Sequence, residues 1–294
     1  VYYLPRSDQF LGRLTENDYL CRIKTISRIH DMEQAMIFAA GLGTRLKPLT
    51  DHKPKALVEV GGEPLLKRVI FRLKDAGFHR IVVNVHHFAS QIVDYLKEND
   101  HFGLDIRISD ESECLLDTGG GIKKAYPFFD PMSPILIHNV DILSNVDLKA
   151  FYTFSAHCVE GQQLYDAVLL VSDRKTKRYL LFSPDNRMVG WVNVETGEIR
   201  TPYDWVPSEA RKLLADPSSS NLHKAAFAGI HVVSPTVFQV MEPYPDKFSI
   251  MDFYIQNCNR LCIHGYLSDG LKLMDVGKQE TLKDAVSFLK ELKQ

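Results

Sequence analysis

The stretch "AMIFAAGLGTRLKPLTDHKPKALVEVGG", residues 35–62, opens apolar and then turns abruptly polar and basic. Its first part, "QAMIFAAG" from residue 34, has the length and composition of a buried strand. Gly41 and Gly43 lie where that strand ends, the place at which open α/β sheets bind ligands. Glycine there lets backbone N–H groups approach anionic oxygens with no Cβ in the way. Arg45 and Lys55 follow, held by Pro48 and Pro54. A guanidinium bridges two phosphate oxygens, and an ammonium adds a compact charge. Two cations on one glycine turn point to a di- or triphosphate. The turn is neither of the common phosphate loops. GxGxxG would need glycine at Leu46, and no Gly-Lys-Ser/Thr closes a Walker loop.

Outward from this loop, short β-rich runs alternate with helical ones. "PLLKRVIFRLKDAG" sets Leu65, Leu66, Val69, Ile70 and Leu73 on one helical face and stops at Gly77. "RIVVNV", "SQIVDYLKEND", "DIRISDE" and "PILIHNVDIL" continue the alternation, and a helix is expected over about 147–157. The order predicts an α/β fold with a mostly parallel sheet flanked by helices. Beyond it, "DAVLLVSD", "RYLLFS" and "MVGWVNV" are separated by turn signals and predict antiparallel hairpins. "FAGIHVVS" returns to the core, "IHGYLSD" and "LKLMDVG" read as a strand pair, and an amphipathic helix closes the chain. Residues 215–224, "ADPSSSNLHK", read as a flexible loop.

The totals exclude several classes. The chain has 294 residues, 45% hydrophobic and 24% charged, with a formal net charge of −2. That is an ordinary globular composition with no field suited to nucleic acid or an acidic membrane. No run reaches the roughly 18 apolar residues of a membrane span. Cys21, Cys114, Cys158, Cys258 and Cys262 are odd in number and lack zinc-like spacing, so free thiols in a reducing compartment, the cytoplasm, are expected. Residues 1–31 carry charges throughout and read as an extension without a secretory h-region, the fold itself starting near Met32.

Two aspartates end core strands: Asp141 in "ILIHNVDIL" and Asp275 in "LKLMDVG". An acid after an apolar run sits at the ligand edge of a sheet, although either could instead cap a following helix. Asn139 shares a strand face with Asp141. "LLDTGGGIKKA", residues 115–125, sets three glycines before a helical run, where free amides could read a base edge or simply form a flexible loop. Asn84 ends another strand nearby, and no His metal site is suggested by His86 and His87.

"GLGTRLKPLTDHKPKALVEVGGEPLL" resembles the signature of the sugar-1-phosphate nucleotidylyltransferases, GxGTRxxPxTxxxPK. The likeness extends more thinly through "LLDTGGGI", "LIHNVDIL", "FAGIHVVS" and "LMDVGKQETL". "TGGGI" is most similar to the N-acetylmuramate-1-phosphate uridylyltransferase branch, and nearly as similar to mannose- or heptose-1-phosphate guanylyltransferases. The resemblance implies a Rossmann-like fold with an antiparallel sugar-binding portion; the sequence shows no hexapeptide repeat, so no C-terminal β-helix is expected. Residues 32–294 would be one domain, with a nucleotide-binding half to about 145 and a sugar-binding half after it. The implied substrates are an NTP, UTP or GTP, and a sugar 1-phosphate, in a monomer or small homo-oligomer.

By the same resemblance, Ala40, Gly41, Gly43, Thr44 and Arg45 hold the triphosphate, and Lys55 neutralises charge at the reacting phosphoryl groups. Thr118, Gly119 and Gly120, with Asn84, face the base; Asn139 and Gly229 face the sugar; Asp141 and Asp275 hold Mg²⁺. The sequence departs from the family at Val140, where glycine is usual, and at Lys278 and Gln279. It also lacks the Glu-Lys-Pro whose lysine binds the sugar phosphate; Lys224, Arg174, Lys175 or Lys177 are left as substitutes. Trp191 and Trp205 read as packing residues. A choline-phosphate cytidylyltransferase and a non-catalytic nucleotide-sugar sensor are the alternatives.

Overall fold

The computed structural model describes residues 33–159 and 162–292. The extension expected over residues 1–31 lies outside them. A ten-stranded mixed sheet organises the molecule. Its parallel part is built from β1 (Gln34–Phe38), β2 (Arg80–Val85), β3 (Asp105–Asp110) and β4 (Ile135–Asn139). The spatial order is β4-β1-β2-β3, all parallel. Between them run helices α1 (Leu65–Asp75), α2 (Ala89–Glu98) and α3 (Asp117–Ala125). After β4 the chain breaks at Val140–Asp141 and resumes as β5 (Ile142–Ser144), then α4 (Leu148–Ser155).

The period of two along β1 explains why helices cover both faces. Ala35 and Ile37 join a core with α1, α2 and α4, whereas Met36 points into a second core with α3. The apolar spacing of α1 buries Leu65, Leu66, Val69, Ile70 and Leu73, as the pattern predicted.

The structure differs from the reading in four places, three of them in the second half and one, the triple glycine, in the first. β6 (Ala167–Ser172) is not a hairpin arm, for every residue in it is buried. A strand apolar on both faces belongs inside a sheet, and it lies between β10 (His223–Val233), antiparallel, and β11 (Ile263–Leu267), parallel. The hairpin is β7 (Arg178–Phe182) with β8 (Met188–Asn193), extended by β9 (Ile199–Arg200). "IHGYLSD" and "LKLMDVG" do not pair: β12 (Leu273–Asp275) runs antiparallel to β5 instead.

Residues 215–224 are structured as well. They finish α5 (Val206–Ala215), make a turn capped by Asp216 on Ser218 N (3.0 Å), bury Leu222 and enter β10. The triple glycine, finally, lies inside α3 rather than before it. Short helices α6 (Thr236–Met241) and α7 (Ile250–Asn257) pack with α3 on the second core, and α8 (Gln279–Glu291) returns to the first. β10 joins the halves, pairing β4 through Ile230↔His138 and β7 through Leu180↔Ala225. Among the described residues no helix is long and apolar enough to cross a membrane.

Candidate active site

The C-terminal ends of β1, β2 and β4 open on a cavity of about 240 Å³. Ala40, Gly41, Lys55, Asn84, Thr118, Asn139 and Asp141 line it, together with Glu111 and Asp117. The N–H groups of Gly41, Leu42, Gly43 and Thr44 meet no acceptor among the described residues, so the turn presents bare amides. A Cβ on Gly41 would meet nothing within 4 Å, which shows how open this side is. Gly43 serves differently. It has φ +64, and a Cβ there would stand 2.9 Å from Thr50 Cγ2 and 3.1 Å from Lys55 Cβ. Thr50 Oγ1 also donates to Gly43 O (2.8 Å), folding the loop back so that Lys55 enters the cavity.

Lys55 is only 9% exposed, and its Nζ donates to Asp141 Oδ2. Asp275 is brought beside Asp141 by the β12–β5 pairing, in which Asp275 opposes Ile142 and Val276 N donates to Asp141 O (2.8 Å). Arg45 reaches the same place from the other side. A Cβ on Gly277 would lie 2.6 Å from Asp275 Oδ1 and 2.8 Å from an Arg45 guanidinium nitrogen, so only glycine leaves room for both. The side-chain amide of Gln279 donates to Lys47 O, tying the start of α8 to the glycine loop. Arg45, Lys55, Asp141 and Asp275 thus converge. Neither aspartate caps a helix: Asp147 caps α4 and Lys278 precedes α8.

The charges in this cluster oppose one another. Burial, and then the neighbouring Asp141 carboxylate, push the Asp275 carboxyl above the usual carboxylate range, while Lys55 and Arg45 pull it down. Asp275 Oδ1 is buried and has no hydrogen-bond partner among the described residues. Two adjacent carboxylates with an orphaned oxygen suit a hard cation, and Mg²⁺ commonly takes one or two carboxylates, leaving phosphates and water to complete its shell. The donor set fits that ion. No group of three or more His, Cys, Asp or Glu side chains capable of holding a metal occurs among the described residues.

Asn84 and Glu111 form a buried brace beneath the cavity. Asn84 Oδ1 accepts from Ala39 N (2.8 Å) and Ala40 N (3.4 Å), and its Nδ2 donates to Glu111 Oε1 (2.7 Å). Glu111 Oε2 accepts from Leu116 N (3.1 Å). The amide of Asn84 therefore connects the glycine loop to the segment leading into α3. Glu111, which the sequence reading passed over, is 1% exposed. Its only signal was an acid directly after the strand "DIRISD". Asp117 was missed as well; it lines the cavity with φ +61, its Oδ1 accepting from Thr118 N (2.7 Å).

Gly119 and Gly120 do not offer amides to a ligand. Both N–H groups donate to Phe248 O, at 2.8 and 3.2 Å. A Cβ on Gly119 would come within 2.3 Å of the Phe248 ring, and one on Gly120 within 1.9 Å of Asp246 O. These glycines let the segment before α7 lie against α3. Gly229, with φ +78, likewise allows close approach: a Cβ there would be 2.9 Å from the Asn139 amide nitrogen. Arg45, Thr44, Gly43, Gly229 and Asp275 stand around the cavity rather than in its wall.

Comparison with known proteins gives the chain relatives of two named kinds. Over 119 residues the chain is 42% identical to the N-acetylmuramate alpha-1-phosphate uridylyltransferase of Neisseria meningitidis, covering 40% of this chain and 51% of that one. Over 263 residues it is 36% identical to the mannose-1-phosphate guanyltransferase of Kluyveromyces lactis, covering 88% and 65%. The matches thus span between half and two-thirds of these relatives' length. The crystal structure of HddC from Yersinia pseudotuberculosis, complexed with GMP-PN, superposes with a TM-score of 0.64 over 88% of this chain and 100% of that one. At 22% identity that likeness concerns the fold alone. The nucleotidyl transferase family matches residues 34–291, and the chain belongs to that family.

Proposed function

We propose that the protein transfers a nucleoside monophosphate from an NTP to a sugar 1-phosphate, releasing pyrophosphate and giving an NDP-sugar. The observation that carries this reading is the convergence of Arg45, Lys55, Asp141 and Asp275 beside a glycine turn with free amides. A phosphate oxygen of the acceptor attacks the α-phosphorus, a new P–O bond forms, and the bond to the β-phosphate oxygen breaks. No covalent intermediate with the protein is needed. Catalysis then rests on positioning and on fixed charge.

The amides of Gly41 to Thr44, with Arg45, bind the triphosphate. The Lys55 ammonium, held against Asp141, faces the negative charge that builds on the transferring group. Asp141 and Asp275 would hold Mg²⁺, which when bound screens the two phosphates and polarises the α-phosphoryl oxygen. Asn84 and Glu111 keep the two loops of the nucleotide cavity in register. Asn139, with Gly229 against it, faces the acceptor. UTP and GTP are the leading donors, because relatives named uridylyltransferase and guanyltransferase both match. A cytoplasmic setting follows from the NTP substrate.

The test is pyrophosphate release across a panel of UTP, GTP, CTP and ATP against sugar 1-phosphates and choline phosphate, with and without Mg²⁺. One NTP should turn over with a sugar 1-phosphate and only with the metal. Turnover with CTP and choline phosphate alone, or none with any pair, would defeat the assignment.

A further inference from the structure

The charged groups that converge beside the glycine turn cancel one another. Arg45 and Lys55 are the cations, Asp141 and Asp275 the anions. Their pairing is uneven. Lys55 Nζ donates to Asp141 Oδ2, and both side chains are largely buried, at 11% and 15% exposure. Arg45 and Asp275 instead flank Gly277, and Asp275 Oδ1 is buried without a hydrogen-bond partner among the described residues. The other acids of the cavity are committed elsewhere, Glu111 to Asn84 and to Leu116 N, Asp117 to Thr118 N. Of the two carboxylates that suit a hard cation, Asp275 thus keeps an unmatched oxygen, while Asp141 is already matched by an ammonium.

That ammonium is placed to change partners. Lys55 opens one short turn, Lys55–Leu57, closed by Val58 N on Lys55 O (3.0 Å). The root of its side chain lies against the glycine loop, where a Cβ on Gly43 would stand 3.1 Å from Lys55 Cβ. Gly43 belongs to the turn whose amides meet no acceptor among the described residues. One flexible four-carbon stem is therefore rooted beside the phosphate turn and ends on the carboxylate. A phosphate seated on those amides competes with Asp141 for the ammonium. A free dication does not. Mg²⁺ sheds water reluctantly, and to reach both carboxylates it would have to come beside a like charge. A cluster whose charges cancel has no net field to draw it there.

We propose that Lys55 closes Asp141 to free Mg²⁺, and that an incoming triphosphate opens it by drawing the ammonium onto its own oxygens. Metal and nucleotide then bind as one event, because the phosphates bring the negative charge that the cluster alone lacks. The inference rests on the nucleotidyltransferase reading and adds to it how the site fills. Lys55 acts twice, as counter-ion to Asp141 before the nucleotide arrives and as a contact to phosphate afterwards.

Titration calorimetry with MgCl2 alone, at fixed ionic strength and without nucleotide, tests this on the native protein and on Lys55→Met, which keeps the stem and removes the charge. The variant should bind the metal about 10- to 100-fold more tightly than the native protein, the size of removing one like charge at close range. Adding Asp141→Asn to Lys55→Met should abolish the gain. Lys55→Arg, which keeps the charge, should bind as weakly as the native protein; an equal gain there would mean lost packing rather than lost charge, and would overturn the inference. Should Lys55→Met fail to fold, Lys55→Gln takes its place, and thermal unfolding of the native protein needs no variant. MgCl2 alone should leave its Tm unmoved, and MgCl2 with UTP or GTP should raise it. Native protein that is stabilised by MgCl2 alone, or that binds the metal as tightly as the neutral variant, would overturn the inference and leave the nucleotidyltransferase reading standing. No rise in Tm with any NTP and metal would overturn both.

Discussion

Residues 33–145 and residues 146–292 share one sheet but present ligands in different ways. In the first part, parallel strands end in loops whose backbone forms the cavity wall, with Gly41 facing open space and Gly43 in the left-handed region. In the second part, a larger cavity of about 600 Å³ is walled by side chains from the hairpin, β10 and α7, among them Arg178, Arg200 and Trp191. The difference is physical. A ligand gripped by main-chain amides forces glycine and fixed spacing on the sequence, whereas one gripped by side chains leaves only scattered arginines and an aromatic.

The sharpest way to break this contrast is Lys55→Ala. If the first part works by fixed charge at the reacting phosphate, kcat should fall by roughly 10²–10³, the range for losing one preorganised contact. Steady-state kinetics of pyrophosphate release would show it, and unchanged turnover would remove Lys55 from the mechanism. The variant should also lose stability, since the partly buried Asp141 would lose its cation. Next in size is Gly120→Ala. Glycine in this part is expected to serve packing where it does not serve ligand, and the new Cβ would fall 1.9 Å from Asp246 O. Overpacking against backbone should cost about 3 kcal/mol, the upper end of such changes. Chemical denaturation would measure it. A neutral result would mean that α3 and the segment before α7 can separate freely.

These two glycine roles show where the sequence was readable. The strands of the parallel part were legible because their apolar runs are short, bounded and alternate with helices of clear period, as in α1. The convergence of Arg45, Lys55, Asp141 and Asp275 followed from placing each at a strand end or on the loop after β1. The triple glycine was misplaced because glycine punctuates loops and also permits close helix packing, and only the tertiary neighbour, here Phe248 with Asp246, decides which. Glu111 was invisible for a related reason. Its partners Asn84 and Leu116 lie 27 residues before it and 5 after it, and a buried brace of that kind has no period. β6 and β11 were misassigned in their pairing because strand periodicity specifies burial and not the neighbour.

The smallest expected effect asks whether the two parts, so different in their sites, unfold as one. His138 on β4 and His231 on β10 lie on directly paired strands, with Ile230 opposite His138 and Ile137 opposite His231. Burial pulls both imidazoles down, each to about 3, from an ordinary value of 6.5. His231 keeps a partner in the Tyr254 hydroxyl (2.8 Å), while His138 Nε2 has none among the described residues. Both are neutral in the folded protein near pH 5, where the unfolded chain binds protons on them. Stability from this source is therefore complete above about pH 6.5 and is lost as pH falls toward 3, at about 1.4 kcal/mol per pH unit for each histidine. His138→Asn and His231→Gln should each remove one such share from the acid limb, measured by denaturant titrations between pH 4 and 7. Because one sheet carries both residues, the two variants should change the slope of a single transition by the same amount. Two transitions, each sensitive to only one of the histidines, would mean that the two parts are separate folding units joined only at β10.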